Sequence, residues 1–188
     1  MAAAKRIVFL GPPNSGKGTQ AVRLAETLGV PAISTGDMLR AAVAAGSELG
    51  NRVAGVMERG ELVSDDLMAE VVKARLAEDD AERGFLLDGY PRTLPQVDTL
   101  NSILEEIESS IDHVVMIDAP EEVLVERALG RGRKDDTPDV VKFRLEEYRN
   151  KTEPLVGHYR NEGLLREIDG DQAMDTVQRA ILDAVQGR

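Results

Sequence analysis

Short, unbroken apolar runs alternate along the chain with stretches in which apolar residues recur every three or four positions. Residues 7–10, 85–87 and 113–117, the last opening on His113, are runs of the first kind; 32–34 is a weaker one, and 165–168, with Arg166 and Glu167 between Leu165 and Ile168, reads as the last strand. A strand without a polar face is buried on both sides. These runs therefore predict a five-stranded parallel sheet covered by helices on both faces, a three-layer α/β/α domain. The helical spacing predicts helices over 16–28, 37–45, 49–59, 65–77, 95–107, 121–130 and 174–185. A longer helix over 140–160 is interrupted near Pro154. Asp37 and Ser64 are placed to cap two of them, and Pro95 falls in a first turn, where its missing N–H costs nothing. Such sheets bind ligands beyond the carboxyl ends of their strands, so chemistry is to be sought in the loops after Leu10, Ser34, Leu87 and Ile117.

The first of those loops is Gly11-Pro12-Pro13-Asn14-Ser15-Gly16-Lys17-Gly18-Thr19, which fits G-x-x-x-x-G-K between a strand and a helix. In that setting backbone N–H groups wrap a phosphate, the helix N-terminus adds positive potential, and Lys17 reaches the outer phosphates. Gly18 stands where a plain phosphate loop has the Ser or Thr that holds Mg²⁺, with Thr19 one place later. A GTPase switch would also need a guanine-reading N-K-x-D. The nearest string, Asn150-Lys151-Thr152-Glu153, carries the wrong acid inside a helical stretch.

Composition narrows the class. At 188 residues the chain suits a single domain. With no cysteine it has no disulfide, thiolate zinc site or thiol nucleophile. No apolar run approaches a signal peptide or membrane span, so a soluble, cytoplasmic protein is expected. A net charge of −11 argues against coating nucleic acid or an anionic membrane. Yet 17 of the 23 basic residues are arginine, whose fork fits phosphate bidentately.

Four stretches in order, Gly16-Lys17-Gly18-Thr19-Gln20, Ser34-Thr35-Gly36-Asp37-Met38-Leu39-Arg40, Asp88-Gly89-Tyr90-Pro91-Arg92 and Arg131-Gly132-Arg133-Lys134-Asp135-Asp136, resemble the nucleoside monophosphate kinase family. The resemblance spans nearly the whole chain. Within that family the chain is most similar to the adenylate kinases, because Thr35 and the turn Glu61-Leu62-Val63 match their pattern for the acceptor base. Uridylate/cytidylate kinases of the same fold are the alternative. A non-catalytic ATP-binding module is the rival from another class, and Arg40 and Arg92 argue against it, since a switch needs no second nucleotide site.

Arg40 and Arg92 follow separate strands, so both can converge on one phosphate at the sheet edge. The resemblance makes it the α-phosphate of AMP, with Gly89, Tyr90 and Pro91 beside it and Gln96 on the base. Asp88 ends an apolar strand beside the phosphate loop, the place for an acid that orients Mg²⁺ through its water shell. The resemblance implies the same role. Arg127 and Arg131 are four apart on one helix face, which by itself reads as a solvated face paired with Glu121, Glu122 and Glu126. The resemblance instead makes about 130–136 a short lid over ATP, with Arg127 on its adenine and Arg131, Arg133 and Arg144 gripping the phosphate chain, Arg131 on the ATP side and Arg133 and Arg144 on the AMP side. Lys134 adds to that basic cluster, and Asp135 and Asp136 serve as hinge or salt-bridge acids. ATP is further expected at Asn14, Ser15, Gly16, Lys17, Gly18 and Thr19 and at the backbone near Gln172. The segment of about 34–63 closes over AMP. The implied reaction is reversible transfer from ATP to AMP giving two ADP, in a monomer, with Lys17, Arg92, Arg131, Arg133 and Arg144 as the catalytic set. Mg²⁺ is the one metal expected. With no cysteine and only His113 and His158, a zinc site in the lid is not. Asn14-Ser15 depart from the usual Gly-Ala, and Asn is the non-glycine residue that best tolerates positive φ.

Overall fold

The computed structural model describes residues 5–133 and 136–187. Lys134 and Asp135, assigned above to the basic cluster and the acidic pair, lie outside the described residues. Five strands, β1 (Arg6–Leu10), β2 (Ala32–Ser34), β3 (Phe85–Asp88), β4 (His113–Asp118) and β5 (Leu165–Asp169), form one sheet in the order β2-β3-β1-β4-β5. Every neighbouring pair is parallel. Alternate side chains of the central strand leave on opposite faces, and the four after Arg6 are buried, Ile7 and Phe9 into one layer and Val8 and Leu10 into the other. Each such burial contributes roughly 1.5–3 kcal/mol, which is why this strand carries no polar alternation.

One face is covered by α4 (Asp65–Leu76), α5 (Leu94–Glu105) and α8 (Pro154–Asn161), through Val72, Leu100, Leu104 and Leu155. The other carries α1 (Lys17–Leu28) and α9 (Met174–Gln186), through Leu24, Ile181 and Val185. Two helical hairpins stand off the sheet. In the first, α2 (Thr35–Ala44) meets α3 (Glu48–Glu58) at Gly50, where an added Cβ would lie 2.0 Å from the Ala42 carbonyl oxygen. Only glycine permits that approach. In the second, α6 (Glu121–Arg131) and α7 (Pro138–Glu147) share a small core of Leu124, Ala128, Val141 and Leu145. No helix among the described residues is long and apolar enough to cross a membrane.

Local chemistry shifts several boundaries from the expected ones. Asp37 does not cap α2. Ser34, the last residue of β2, accepts from the Asp37 N–H at 3.3 Å, so strand runs into helix without a loop and Asp37 lies in the first turn. Ser64 precedes α4 without a capping bond. The stretch over 140–160 is two helices. Thr137 caps α7 and Pro138 opens it, α8 starts at Pro154, and between them Tyr148–Thr152 forms one π-helical turn. Pro154 has no N–H to return to residue 150, and its ring crowds that carbonyl. The turn before it widens instead, with the Glu153 N–H donating to the Tyr148 oxygen at 2.9 Å.

Candidate active site

Because β1 is central, the loop after Leu10 opens in the middle of the sheet's carboxyl edge. Gly11 turns there with φ +135, and a Cβ would come within 2.1 Å of the Ile117 oxygen of β4, so glycine alone fits. Asn14 takes φ +69, the left-handed conformation for which asparagine suffices. Gly16, at φ +99, leads into α1, whose first turn has no side-chain cap. Its N–H groups therefore stay available to an anion.

Lys17 donates to the Pro12 oxygen at 2.6 Å. Burial lowers its pKa to about 8; the carboxylate of Asp88 opposes that shift, while Arg92 and Arg131 add to it. An ammonium so placed lacks a full counter-ion, which is the state of a group kept for an incoming anion.

A cleft of about 1020 Å³ runs from this loop to the α2–α3 hairpin. Among the described residues it is lined by eight cations, Lys17, Arg40, Arg75, Arg92, Arg127, Arg131, Arg133 and Arg144, against four carboxylates, Asp37, Glu61, Asp88 and Glu147. The protein as a whole is at −11, so the cleft reverses its sign. Arg92 lines the same cleft, and desolvation, with Arg144 and Arg40 nearby, lowers its pKa against the pull of Asp88. Its Nε donates to the Gly89 oxygen at 2.8 Å, which aims the fork. Arg40 is bonded to Asp37 at 2.5 Å, and Arg133 approaches the same carboxylate at 3.8 Å. Burial pushes Asp37 up, but the bond and charge of Arg40 outweigh it and hold the carboxyl below its usual range.

Two arms close the ring. From β3, Asp88 presents its carboxylate to the phosphate loop, 3.5 Å from where a Cβ on Gly18 would sit. The Asp88 oxygen of the backbone accepts from Thr35 Oγ1 at 3.3 Å. From the second hairpin, Asp136 is 1% exposed at its side chain and binds Arg131 at 2.7 Å and Arg144 at 3.3 Å, fixing both toward the cleft. Arg127 donates to the Gly170 oxygen at 2.9 Å rather than to the acids of its own helix. Glu121, one of those acids, pairs with Arg149.

The structure thus gathers in one cavity Asn14, Ser15, Gly16, Lys17, Gly18, Thr19, Thr35, Arg40, Glu61, Leu62, Val63, Asp88, Gly89, Pro91, Arg92, Gln96, Arg127, Arg131, Arg133, Arg144 and Gln172. Tyr90 differs: its ring is 1% exposed within the core, so its side chain is structural. Sequence reasoning missed Thr152, a cleft residue whose hydroxyl donates to the Arg92 carbonyl at 2.9 Å. It also missed Glu147, Arg75 and the methionines Met38, Met57 and Met68 at the acceptor end. The π turn before Pro154 delivers Thr152, and no local sequence signal announces that this hydroxyl meets the Arg92 loop. Asp88 and the adjacent loop suit a cation held through water. No group of three or more ligating side chains occurs among the described residues to hold one directly.

Residues 9–164 match the family described as adenylate kinase. The adenylate kinase of Stenotrophomonas maltophilia (strain R551-3) is 47% identical over 186 residues, covering 97% of this chain and 100% of that protein. Those of Xanthomonas campestris pv. campestris (strain B100) and Xanthomonas axonopodis pv. citri (strain 306) are each 48% identical over 184 residues, 96% of this chain and 98% of theirs. The chain belongs to the adenylate kinase family.

Proposed function

We propose that the protein catalyses reversible transfer of the γ-phosphoryl group of ATP to AMP, giving two ADP, as a monomer of the cytoplasm. The observation that carries this reading is one continuous cleft that takes in both the phosphate loop with Lys17 and the arginines Arg40 of α2 and Arg92 after β3. The ATP phosphates lie along the N–H groups of residues 14–19, with Arg127 and the backbone at Gln172 on the adenine. AMP places its phosphate on Arg40 and Arg92 and its base among Thr35, the 61–63 turn and Gln96. Arg131, Arg133 and Arg144 neutralise the transferring group between the two. Asp88 would hold Mg²⁺ through its water shell, and the ion when bound would supply charge neutralisation at the phosphates. Transfer between two positioned oxygens needs alignment and electrostatic stabilisation and no covalent intermediate. Closure of 34–63 over AMP and of 130–136 over ATP excludes the water that would hydrolyse the donor.

A coupled assay offering AMP, CMP, UMP and GMP with ATP tests the acceptor. AMP is expected to turn over fastest; faster CMP or UMP would make the protein a pyrimidine nucleotide kinase, and no turnover with any acceptor would return it to a binding module.

The low pKa of Lys17 has a second consequence. In the free protein the ammonium is present below pH of about 8 and lost above it. Bound phosphate favours the charged form. ATP affinity should therefore fall as pH rises through 8, and binding near that pH should take up a proton. Calorimetry in two buffers of different ionisation enthalpy reads that uptake, which Lys17→Met should abolish. Affinity that is flat from pH 7 to above 9 would contradict it.

A further inference from the structure

Gln96 lines the acceptor end of the cleft, is 2% exposed, and has its side-chain amide held from two sides. Its Oε1 accepts from the backbone N–H of Arg92 at 2.7 Å, and its Nε2 donates to Asp65 Oδ1 at 2.7 Å. Only one orientation of the amide suits both neighbours, because the Arg92 N–H requires an oxygen and the Asp65 Oδ1 is placed to accept from an N–H. Asp65 is itself fixed. It opens α4, and the same Oδ1 receives the Thr93 hydroxyl at 3.2 Å. Thr93 in turn caps α5 by accepting from the Gln96 N–H at 3.3 Å. This closed ring of bonds ties α4 to α5 behind the base-binding end. It leaves Gln96 one N–H and one oxygen lone pair, at places that cannot exchange.

We propose that Asp65 is a positioning residue for acceptor selectivity, which pins the Gln96 amide so that it pairs with a 6-aminopurine and mismatches a 6-oxopurine. The inference rests on the reading that Gln96 meets the acceptor base. A 6-aminopurine shows an acceptor, N1, beside a donor, the amino group. A 6-oxopurine shows the reverse, an N1–H beside an oxygen. An amide free to turn over suits either edge. A pinned one suits a single edge and leaves polar groups unpaired against the other.

The test is steady-state kinetics with ATP and either AMP or inosine monophosphate, on the wild type, Asp65→Ala, Asp65→Asn and Gln96→Ala. Asp65→Ala is expected to lower the AMP-to-inosine-monophosphate ratio of kcat/KM by about tenfold, the worth of one hydrogen bond. The fall should come from a higher KM for AMP, with the value for inosine monophosphate unchanged or improved and KM for ATP unchanged. Asp65→Asn keeps an oxygen for Gln96 Nε2 and should retain most of the ratio. A merely structural role predicts instead that both acceptors weaken in parallel, and that outcome overturns the proposal. If Gln96→Ala keeps the wild-type ratio, the base-contact reading fails and the proposal with it. If Gln96→Ala loses the ratio while Asp65→Ala keeps it, the proposal fails alone. A measurement without any variant guards against misfolding: one Gln96 side-chain N–H should resist solvent exchange in the nucleotide-free protein. Two N–H protons that exchange equally fast would overturn the pinning.

Discussion

Lys17→Ala is expected to lower kcat with ATP and AMP about 10²–10³-fold, the usual cost of deleting one preorganised charge-stabilising group. The loss should appear in kcat rather than in KM alone, because charge on the outer phosphates is redistributed most at the transition state. Stability should move the other way. A folded pKa of about 8 lies below the value of roughly 10.4 expected in an unfolded chain. Between those values the unfolded state binds more protons, so the lysine's contribution to stability improves as pH rises and is least favourable below pH 8. The ammonium's hydrogen bond to Pro12 does not offset its desolvation. The variant's thermal midpoint at pH 7 is therefore expected to equal or exceed that of the wild type. Thermal denaturation beside the coupled assay checks both halves. Near-normal turnover would remove Lys17 from the chemistry, and a variant that no longer folds would make it structural.

Arg92→Ala should reduce kcat/KM for AMP by about 10² or more while KM for ATP stays near its normal value. The Gly89 carbonyl aims the guanidinium through Nε, and Thr152 holds the Arg92 backbone by its carbonyl. The fork is thus preorganised for a bidentate phosphate contact, which a lysine cannot imitate. Arg92→Lys should accordingly recover little. Varying AMP at saturating ATP reads the effect. Rescue by lysine would mean that a point charge suffices, and a loss confined to ATP would place Arg92 on the donor side.

The centre of the sheet was legible because β1, β3 and β4 are buried on both faces, and residues such as Val8, Leu86 and Val115 have apolar neighbours; the edge strands β2 and β5 have exposed positions such as Ala32 and Glu167 and form no such run. The phosphate loop was legible because its glycines answer steric demands, as the approach of Gly11 to Ile117 illustrates. What sequence did not give depends on contacts between distant segments. The π turn follows from Pro154, but the role of Thr152 appears only when that turn meets the Arg92 loop, 60 positions away. Asp65 reads as an ordinary first-turn acid until Gln96, 31 positions later, is found against it. Tyr90 shows the opposite limit. It stands inside a phosphate-side motif, yet its ring belongs to the core. Neighbours in a motif share a loop, not a destination for their side chains.

The acidity of the chain and the cations of the cleft are compatible for the same reason. The −11 belongs to the molecule, whereas the eight cations against four carboxylates belong to one concave site that focuses their field. Small Mg²⁺-paired polyanions suit that field, and large ones meet the acidic exterior.

The central claim is that one cleft holds two nucleotides at once, end to end. Titration with two adenosines joined through a polyphosphate chain tests it directly, since linking gains affinity only where both sites exist within reach. The linked ligand is expected to bind about 10²–10⁴-fold more tightly than ATP alone, with Arg92→Ala and Lys17→Ala each weakening it. Affinity equal to that of ATP would contradict the account, because the arginine end of the cleft would then hold no second nucleotide.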